Sequence, residues 1–569
     1  MKRNNLILVS ALVVGITFSG CGSLKKMKKN ADQVKYTVNP PVLELVGDEV
    51  AVTVNGTYPA KYFNKSVIME LTPVLVSGNN ELAYTTYKVQ GESVKENNKV
   101  IKYDGGTFSY SSKVTYKPEF QVSQLMLRAS ASKGSKSLAF DDYKLADGII
   151  TTSKLVEKDG KATYAPDKYV RITPDAYEAD IKYALQQSNV RTSETKKPEI
   201  KEFTDAVKAA KDNERVNITG AQLSAYASPE GPYDLNDKLS HAREKTGQAF
   251  FAKNFKAAKV EEIVKSDFLK VVVTPEDWDG FKKLMEESNL ADKQLILRVL
   301  SMYSDPIVRE REIKNIASAY EEIKESILPQ LRRSKMTVNI EVVGLSDQEI
   351  TAQFNQDPSK LKLEEILYAG TLTDDNNRKL SVYQAAARYY PNDYRTKNNL
   401  GVAYLNLGRT SDAKTALNEA KSLENNDIVK NNLAVVALRD GNIAEAEELL
   451  TSASSEDAKY NLGTIKVIQG KYSEAISYFG NQVEVNAALA KLLAKQNQEA
   501  LNTLNSIKSE DALVYYLKAI VGAREGNNNL VMNNLRTACT KSAELKANAK
   551  KDLEFAKYFE DSTFKSIVQ

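Results

Sequence analysis

The sequence predicts a multidomain protein with an N-terminal all-β sandwich, a central α+β domain and a C-terminal all-α solenoid of helical repeats. Three observations lead to this fold class. Short runs that alternate apolar and polar residues fill residues 36–165, a strand–helix–strand order follows in 166–345, and a pattern of small residues recurs within 360–560. The chain has 569 residues, which corresponds to about three to five domains.

The composition restricts the chemistry. Apolar residues make up 42% and charged residues 27%, which is typical of a folded chain. Lys+Arg exceed Asp+Glu by only 78 − 74 = 4, so we expect no nucleic-acid partner. With one His and two Cys, few ligands exist for zinc and few bases for a nucleophile. We therefore expect no enzyme, no metal and no cofactor, and we expect His241 to be an exposed or capping residue.

The N-terminus has the pattern of a bacterial secretion signal. A basic start is followed by the apolar run Leu6–Phe18, which is too short to cross a membrane. The stretch Phe18-Ser19-Gly20-Cys21 resembles a lipobox. The resemblance implies a signal peptide at residues 1–20 and lipidation of Cys21 by acyl chains such as palmitate, whereas the alternative is an ordinary signal with a chance Cys.

A lipidated tether is predicted over residues 21–35. Its first part, Gly22–Lys29, contains four lysines and no acidic residue. We expect a solvated linker close to anionic head groups. Lipoproteins exported to the surface of Bacteroidetes-like cells usually carry acidic residues here, so the basic tether favours the periplasmic face of the outer membrane.

Residues 36–165 are predicted to form the β-sandwich. The runs Glu49–Val54 and Val67–Leu71 alternate apolar and polar side chains, and turn signals such as Asn55-Gly56 and Ser77–Asn80 separate such runs. The region shows no carboxylate cluster and no phosphate-binding loop. It is either a spacer or a binding module.

The central region carries a specific pattern. Strand-like Ala179–Leu185 precedes helix-like Lys197–Lys211, and a second strand and loop, Val216–Gly231, lead to an Asn-x-x-Leu-Ser-x-x-Arg motif at Asn236–Arg243. This order resembles the OmpA-like (OmpA/MotB C-terminal) domain, and Leu331–Gly344 looks like its last strand. The resemblance implies an α+β domain over 166–345 with a pocket for peptidoglycan.

The same resemblance assigns four residues to the peptidoglycan pocket: Ser228, Glu230, Asn236 and Arg243. In the family an Asp holds the ammonium of diaminopimelate and an Arg holds its carboxylate. Arg243 occupies the Arg position, but Ser228 occupies the Asp position and is neutral. Glu230 or Asp234 would then have to supply the charge, while Asn236 would order the loop. For Arg243, ligand contact and a structural role both remain open.

An insertion interrupts this domain at about residues 267–329. Charged and apolar residues alternate there at helical spacing, as in Leu284–Val299 and Glu310–Leu328. The insertion is similar to that of Bacteroidetes OmpA-like proteins. We expect Trp278, the single Trp, to be a packed anchor of the insertion.

Residues 360–560 contain internal repeats. The motif Asn399–Tyr404 and the small residues after it return as Leu433–Ala437 and again from Leu462. The pattern resembles the tetratricopeptide repeat (TPR), with five to six units. Four glycines are expected at the turn between the two helices of a unit, namely Gly408, Gly441, Gly470 and Gly526.

Such an array presents a curved surface that usually binds a protein segment. The asparagines predicted to bind a partner are Asn398, Asn399, Asn431 and Asn432, whose amides can bond a peptide backbone. The alternative is that they only make helix faces polar. Cys539 is expected to be a small core residue.

Together these features predict an outer-membrane lipoprotein scaffold. It would contact peptidoglycan through the central domain and bind a protein partner through the repeats, in support of envelope integrity or the assembly of an envelope complex. Two alternatives remain open: a surface-exposed adhesin or glycan-binding lipoprotein built on the β-sandwich, and a pure interaction scaffold without peptidoglycan binding.

Overall fold

The computed structural model describes residues 22–569, so the predicted signal peptide at 1–20 and the predicted lipidation at Cys21 lie outside the described residues. The chain forms two compact units. The first unit combines the segment that ends at Ala165 with Asp375–Gln569, and the second unit is Pro166–Asp374. An N-terminal β-rich region and a C-terminal all-helical region confirm the coarse multidomain layout that the sequence predicts.

The β-rich part of the first unit starts with one helix and continues with eleven strands. The helix α1 is Gly22–Lys29, and the strands are β1 Lys35–Asn39, β2 Val42–Val46, β3 Glu49–Tyr58, β4 Ile68–Ser77, β5 Asn80–Ala83, β6 Tyr87–Gly91, β7 Lys99–Ile101, β8 Gly106–Thr115, β9 Ser123–Lys133, β10 Lys136–Ala139 and β11 Tyr143–Ile150. Short 3-10 helices occupy Ala31–Gln33, Pro118–Phe120 and Thr152–Leu155.

The strands form one connected sheet whose main order is β1-β3-β2-β11-β9-β4-β6-β7. Most neighbours are antiparallel, as between β4 and β9 where Leu71 faces Ala129. Strands β2 and β11 pair in parallel. Alternate residues of β3, β4 and β9, such as Val52, Leu71 and Leu125, are buried in a single core. The sheet therefore folds over onto itself, with its polar residues outward.

The first part of the predicted tether, Gly22–Lys29, is a helix that packs against the sheet. Leu24 and Met27 are 1% and 2% exposed and belong to the core of the β-rich part. They lie three residues apart, on one face of the helix, while Lys25, Lys26 and Lys29 are exposed. A solvated linker is therefore the wrong description of Gly22–Lys29, because two apolar side chains hold it against the sheet.

The end of the predicted sandwich also differs. The last strand ends at Ile150, and residues 156–165 form no strand although the prediction included them in the β-sandwich. This segment instead lies on the helical part of the same unit, as described below. The backbone groups of this segment bond to asparagine side chains and not to another strand. The segment is therefore not part of the sheet.

The second unit contains four strands and ten helices among its described elements. The strands are β12 Ile172–Lys182, β13 Val216–Tyr226, β14 Leu269–Thr274 and β15 Arg333–Val343. The helices are α2 Thr192–Thr195, α3 Pro198–Lys211, α4 Tyr233–Ala257, α5 Trp278–Glu287, α6 Lys293–Met302, α7 Pro306–Lys314, α8 Ala317–Ser326, α9 Leu328–Leu331, α10 Asp347–Gln356 and α11 Leu363–Ala369. Short 3-10 helices occupy Glu261–Val264 and Pro358–Lys360.

The sheet of this unit has the order β12-β15-β13-β14. Strand β15 is antiparallel to β12 and β13, whereas β14 is parallel to β13. Helices α3 and α4 cover the sheet through Phe203, Phe251 and Phe255, which pack with Leu223 and Met336. The unit is thus an α+β layer pair in which the sheet and two long helices share one core.

The first residues of the predicted helical insertion form a strand. Residues 269–274 pair with β13, so the helical part starts only at Trp278. The β-branched run Val271–Val273 explains this difference, because such residues favour a pleated surface. Helices α5–α9 then surround their own small core, which includes Phe281, Met285 and Leu331.

The helical part of the first unit consists of α12–α24. Their bounds are α12 Asn376–Tyr389, α13 Tyr394–Asn406, α14 Thr410–Leu423, α15 Asp427–Arg439, α16 Ile443–Leu450, α17 Glu456–Ile468, α18 Tyr472–Phe479, α19 Val485–Leu493, α20 Asn497–Ser506, α21 Ala512–Glu525, α22 Asn528–Lys541, α23 Ala543–Ala549 and α24 Ser562–Val568, with a 3-10 helix at Leu553–Tyr558.

Neighbouring helices pack as hairpins along the array. The four predicted turn glycines each have a positive φ, between 68° and 80°, which is the conformation that favours glycine. In the turn between α19 and α20 that place is taken by Lys495 with φ 65°. Within residues 22–569, no helix is both long and apolar enough to cross a membrane.

Candidate functional site

A ten-residue segment of the first unit lies across the helical repeats. We call Val156–Ala165 the strap. It contacts α13, α15, α17 and α19, the first helices of four successive helix pairs, through asparagine side chains. The strap runs against the order of the repeats, because Glu157 meets α19 and Ala165 meets α13.

Each of four asparagines binds one strap residue twice. The amide oxygen of Asn432 accepts from Thr163 N–H at 2.7 Å, and its Nδ2 donates to Thr163 C=O at 2.8 Å. The same double contact joins Asn399 to Ala165, Asn461 to Lys161 and Asn486 to Glu157.

This geometry imitates one edge of a β-sheet. Lys161, Thr163 and Ala165 alternate along an extended chain, so their N–H and C=O groups point to the same side. An asparagine amide presents one acceptor and one donor in the spacing that a neighbouring strand would offer. The helices thereby bond an extended segment as a neighbouring strand would, although neither side is a strand.

The asparagines are also bonded to each other. Asn461 donates to Asn431 at 2.9 Å, and Asn432 donates to Asn398 at 2.8 Å. Asn398 and Asn431 further donate to the strap carbonyls of Thr163 and Lys161. All six amides, including Asn399 and Asn486, are at most 2% exposed. Buried amides of this kind must be fully bonded, so the network specifies one position of the strap.

Strap side chains add further contacts. Lys161 pairs with Glu484 and lies 4.5 Å from the ring centre of Tyr460. Thr163 donates to Asp457 at 2.7 Å. Tyr164 stacks on Tyr383 with ring centres 5.3 Å apart. The strap is therefore recognised by charge and shape as well as by its backbone.

Gly160 allows the strap to bend within the groove. Its φ is +66°, and an added Cβ would lie 3.1 Å from Val435 and 3.2 Å from Asn461. The adjacent carbonyl of Asp159 accepts from Arg439 at 2.8 Å. A side chain at position 160 would thus be strained by the backbone and crowded by the groove.

The structure places the four predicted partner-binding asparagines together on the groove. Asn398, Asn399, Asn431 and Asn432 do bond a peptide backbone, but that backbone is the strap of the same chain. This corrects the expectation that they hold a separate protein, because their amides are already occupied. Sequence reasoning missed Asn461 and Asn486. The signal was present, since Asn461 precedes Leu462-Gly463 as Asn399 precedes Leu400-Gly401.

The second unit contains a pocket of about 190 Å³ at the end of β13. The four predicted site residues Ser228, Glu230, Asn236 and Arg243 all line it, together with Lys324 and other residues. Strand β13 ends at Tyr226, the loop that follows carries Ser228 and Glu230, and α4 supplies the other two. The structure thus brings together the residues that the sequence singles out there.

Arg243 is the buried cation of this pocket. It is 1% exposed, donates to the carbonyls of Gln187 and Tyr226 at 3.0 and 2.9 Å, and lies 5.2 Å from the ring centre of Tyr183. Burial lowers the pKa of its guanidinium to about 10. Among the described residues, no carboxylate lies within ion-pair distance of Arg243. A bound anion would offset that burial.

The acid of the pocket is engaged elsewhere. Arg332 holds both carboxylate oxygens of Glu230, at 2.7 and 3.0 Å, and Ser228 Oγ donates to the same carboxylate at 2.5 Å. Ser228 and Arg332 are 4% and 8% exposed. Glu230 therefore serves an internal ion pair. The pocket wall contains the buried cation Arg243 and the exposed Lys324, whose ammonium lies 3.6 Å from Glu321 on the same helix.

The remaining predicted residues have structural contacts. Asn236 donates to the carbonyl of Gly231 at 2.9 Å, which fixes the loop. His241 is exposed and lies 3.7 Å from Asp237 on the same helix. Trp278 packs edge-on against Phe281. Cys539 is buried, as expected. Within residues 22–569, no group of three His, Cys, Asp or Glu is arranged to hold a metal ion.

Comparisons with known proteins identify one repeat. The family model described as tetratricopeptide repeat matches residues 394–427, which contain α13 and α14, so the chain carries a TPR at that position. No curated protein matches the chain.

Solved structures resemble the chain at low identity. One is a tetratricopeptide repeat protein from Parabacteroides merdae, with 14% identity, a TM-score of 0.28, and coverage of 39% of this chain and 89% of that chain. PilW, a type IV pilus biogenesis factor, has 14% identity, a TM-score of 0.22 and the same two coverages. The Cut9–Hcn1 hetero-tetramer of APC/C has 12% identity, a TM-score of 0.31, and coverage of 60% and 66%.

Proposed function

We propose that the protein is a non-enzymatic scaffold of the bacterial outer membrane, anchored by lipid at Cys21 and facing the periplasm. In this proposal the second unit is an OmpA-like domain that contacts peptidoglycan, and the helical repeats bind a protein partner. Such a protein would support envelope integrity or the assembly of an envelope complex. The observation that carries the proposal is the pocket at the end of β13, where Arg243 is buried without a carboxylate partner among the described residues.

The pocket favours an acidic ligand group. Arg243 retains donor capacity, since Nε and Nη1 bond two carbonyls and a guanidinium has five N–H groups. Lys324 stands at the rim as an exposed second cation, and its ammonium lies 3.6 Å from the exposed carboxylate of Glu321. A carboxylate of a peptidoglycan stem peptide would receive charge-assisted hydrogen bonds from these groups. The ammonium of the stem has no free acid in the pocket, because Glu230 is bonded to Arg332.

Sedimentation with purified peptidoglycan tests this part of the proposal. We expect the mature chain to sediment with peptidoglycan and Lys324→Glu to weaken the association several-fold. Lys324 is exposed, so its replacement leaves the fold intact, whereas Arg243→Ala removes bonds of a buried residue and needs a check of folding. Lys283→Glu, at an exposed position of α5 outside the residues that line this pocket, is the matched control. Absence of sedimentation, or equal behaviour of both variants, would contradict peptidoglycan contact through this pocket.

A pure interaction scaffold is the second candidate function. The observation that favours it is the neutral Ser228 beside an acid that is consumed by Arg332. A pocket that lacks a free carboxylate has lost half of the charge pairing expected for diaminopimelate. In that case the mature chain would not sediment with peptidoglycan at all, while its protein partner would still be recovered.

The partner of the repeats would use surfaces other than the filled groove. The six buried amides are committed to the strap, so the outer helices, such as α14 and α16, remain as the accessible faces. Photo-crosslinking in cells from the exposed Asn418 on α14, followed by identification of the product, tests this. A specific product from Asn418 supports the proposal. A partner that crosslinks only from groove positions after the strap is released would contradict it.

The membrane location is tested separately. Metabolic labelling with palmitate should label the wild-type chain and not Cys21→Ala. Protease treatment of intact cells should leave the protein uncut if it faces the periplasm, whereas cleavage from outside would favour the adhesin alternative.

A further inference from the structure

The first unit carries a basic surface beside its first helix. Helix α1 contributes four lysines in eight residues and no acid in its first turn. It contacts strands β9 and β10, and the hairpin between these strands places Lys133 opposite Lys136. Lys25, Lys26, Lys29, Lys133 and Lys136 are exposed. The described acids nearest in sequence are Asp32 and Asp141, and Asp141 pairs with Lys28.

This surface is rigidly attached to the fold. Leu24 and Met27 bury one face of α1 in the core of the β-rich part, so the lysines are displayed by a packed helix. If residues 22–35 were an extended tether, they would reach roughly 46–50 Å. Because α1 packs on the sheet, residue 22 already belongs to the folded β-rich part. The chain therefore has no extended tether over residues 22–35 that could separate this part from Cys21.

We propose that the basic surface of α1 and the β9–β10 hairpin rests on the surface of a membrane with anionic lipids. The inference builds on the proposed lipid anchor, because α1 follows Cys21 directly in sequence and an acyl chain there would hold the helix at head-group level. Several lysines at one level attract anionic head groups, and the attraction adds with each lysine near the surface. The β-rich part then rests on the membrane surface through these lysines. The helical repeats of the same unit are thereby held in a fixed orientation to the membrane.

Vesicle binding by the chain of residues 22–569 tests this without any acyl group. The probes are phosphatidylcholine vesicles with and without phosphatidylglycerol. We expect binding only with phosphatidylglycerol, and we expect it to weaken as salt rises, because exposed charges are screened. The triple variant Lys25→Glu, Lys26→Glu, Lys29→Glu should lower binding at least ten-fold, since three charges are reversed.

A matched control reverses three exposed lysines on the helical repeats: Lys421→Glu, Lys508→Glu and Lys557→Glu. It changes the net charge equally and should retain most of the binding. Equal loss in both variants, equal binding to neutral vesicles, or no binding to phosphatidylglycerol vesicles would each overturn the inference. If palmitate labels the protein but the chain does not bind phosphatidylglycerol vesicles, only the membrane contact of the basic surface is rejected. If the chain binds these vesicles but is not labelled by palmitate, only the lipid anchor is rejected.

Discussion

Asn432 binds Thr163 through both ends of its side-chain amide, with hydrogen bonds of 2.7 and 2.8 Å to the backbone N–H and C=O. The two residues are 269 positions apart in the chain. Three further asparagines repeat the contact on Glu157, Lys161 and Ala165. The groove of the helical repeats is thus filled in cis by the strap.

Asn432→Ala should destabilise the first unit by about 1–3 kcal/mol, because it removes the acceptor of Thr163 N–H and the donor to the amide oxygen of Asn398. The carbonyl of Thr163 loses one of its two donors and keeps the bond from Asn398. The measurement is urea unfolding followed by circular dichroism. Asn418→Ala on the exposed face of α14 is the control and should change stability by less than about 0.5 kcal/mol. Equal effects of the two substitutions would show that the strap contact adds no stability.

Gly160→Ala should destabilise more than Gly134→Ala. Both glycines have positive φ, +66° and +58°, so both substitutions carry a backbone cost of about 1 kcal/mol. Only at Gly160 does the added Cβ meet Val435 and Asn461; at Gly134 nothing lies within 4 Å. The difference between the two melting temperatures isolates the crowding in the groove. A difference of zero would mean that the strap is not seated there.

Asp552 predicts a pH dependence of stability. Burial, reinforced by the charge of Glu554, raises the pKa of this carboxyl to about 6 in the folded protein. An unfolded Asp has a pKa of about 3.9, so the folded state alone keeps the proton between about pH 4 and pH 6. The folded state then binds more protons, and the free energy of unfolding falls as pH rises through this window, by up to about 3 kcal/mol.

Asp552→Asn should remove that fall, because an amide oxygen can still accept a hydrogen bond from Tyr516 or from Glu554 N–H but does not titrate. Urea unfolding at several pH values measures the slope. Asp561→Asn, at an exposed helix cap, is the control and should keep the wild-type slope. A variant Asp552→Asn with an unchanged slope would contradict this role of the buried carboxyl.

Ser228→Asp should increase sedimentation with peptidoglycan that contains diaminopimelate. The new carboxylate would stand beside Glu230, which already satisfies Arg332, and could therefore face a ligand ammonium. Ser228→Asn is the isosteric control without charge. If the Asp variant binds no better than the Asn variant, the missing charge is not what limits this pocket.

The sequence allowed the β-rich and helical regions to be predicted because their apolar periods are local. The turn glycines from Gly408 to Gly526 could also be predicted from local sequence, because a turn with positive φ favours glycine. The same turn conformation at Lys495 could not be predicted, because a lysine rarely adopts a positive φ and so gives no local signal for it. The packing of α1 was missed because two apolar residues among four lysines are a weak pattern.

The strap could not be predicted from sequence. Val156–Ala165 has no apolar period of its own, and the asparagines that bond it lie 234 to 329 residues away. The asparagines were recognised as backbone-binding groups, but nothing local indicates whose backbone they bind. In the second unit, Ser228, Glu230, Asn236 and Arg243 were found by motif. The ion pair of Glu230 with Arg332 could not be predicted from the motif, because Arg332 lies 102 residues away, in the bend between α9 and β15.

Hydrogen exchange of the strap amides tests the central claim most directly. Lys161, Thr163 and Ala165 each donate their N–H to a buried asparagine oxygen at 2.7 Å. We therefore expect these amides to exchange as slowly as those in the middle of α15 and α17, and to become fast in Asn432→Ala. Exchange in the wild-type protein as fast as at the exposed turn Gly78–Asn79 would contradict a groove filled by its own chain.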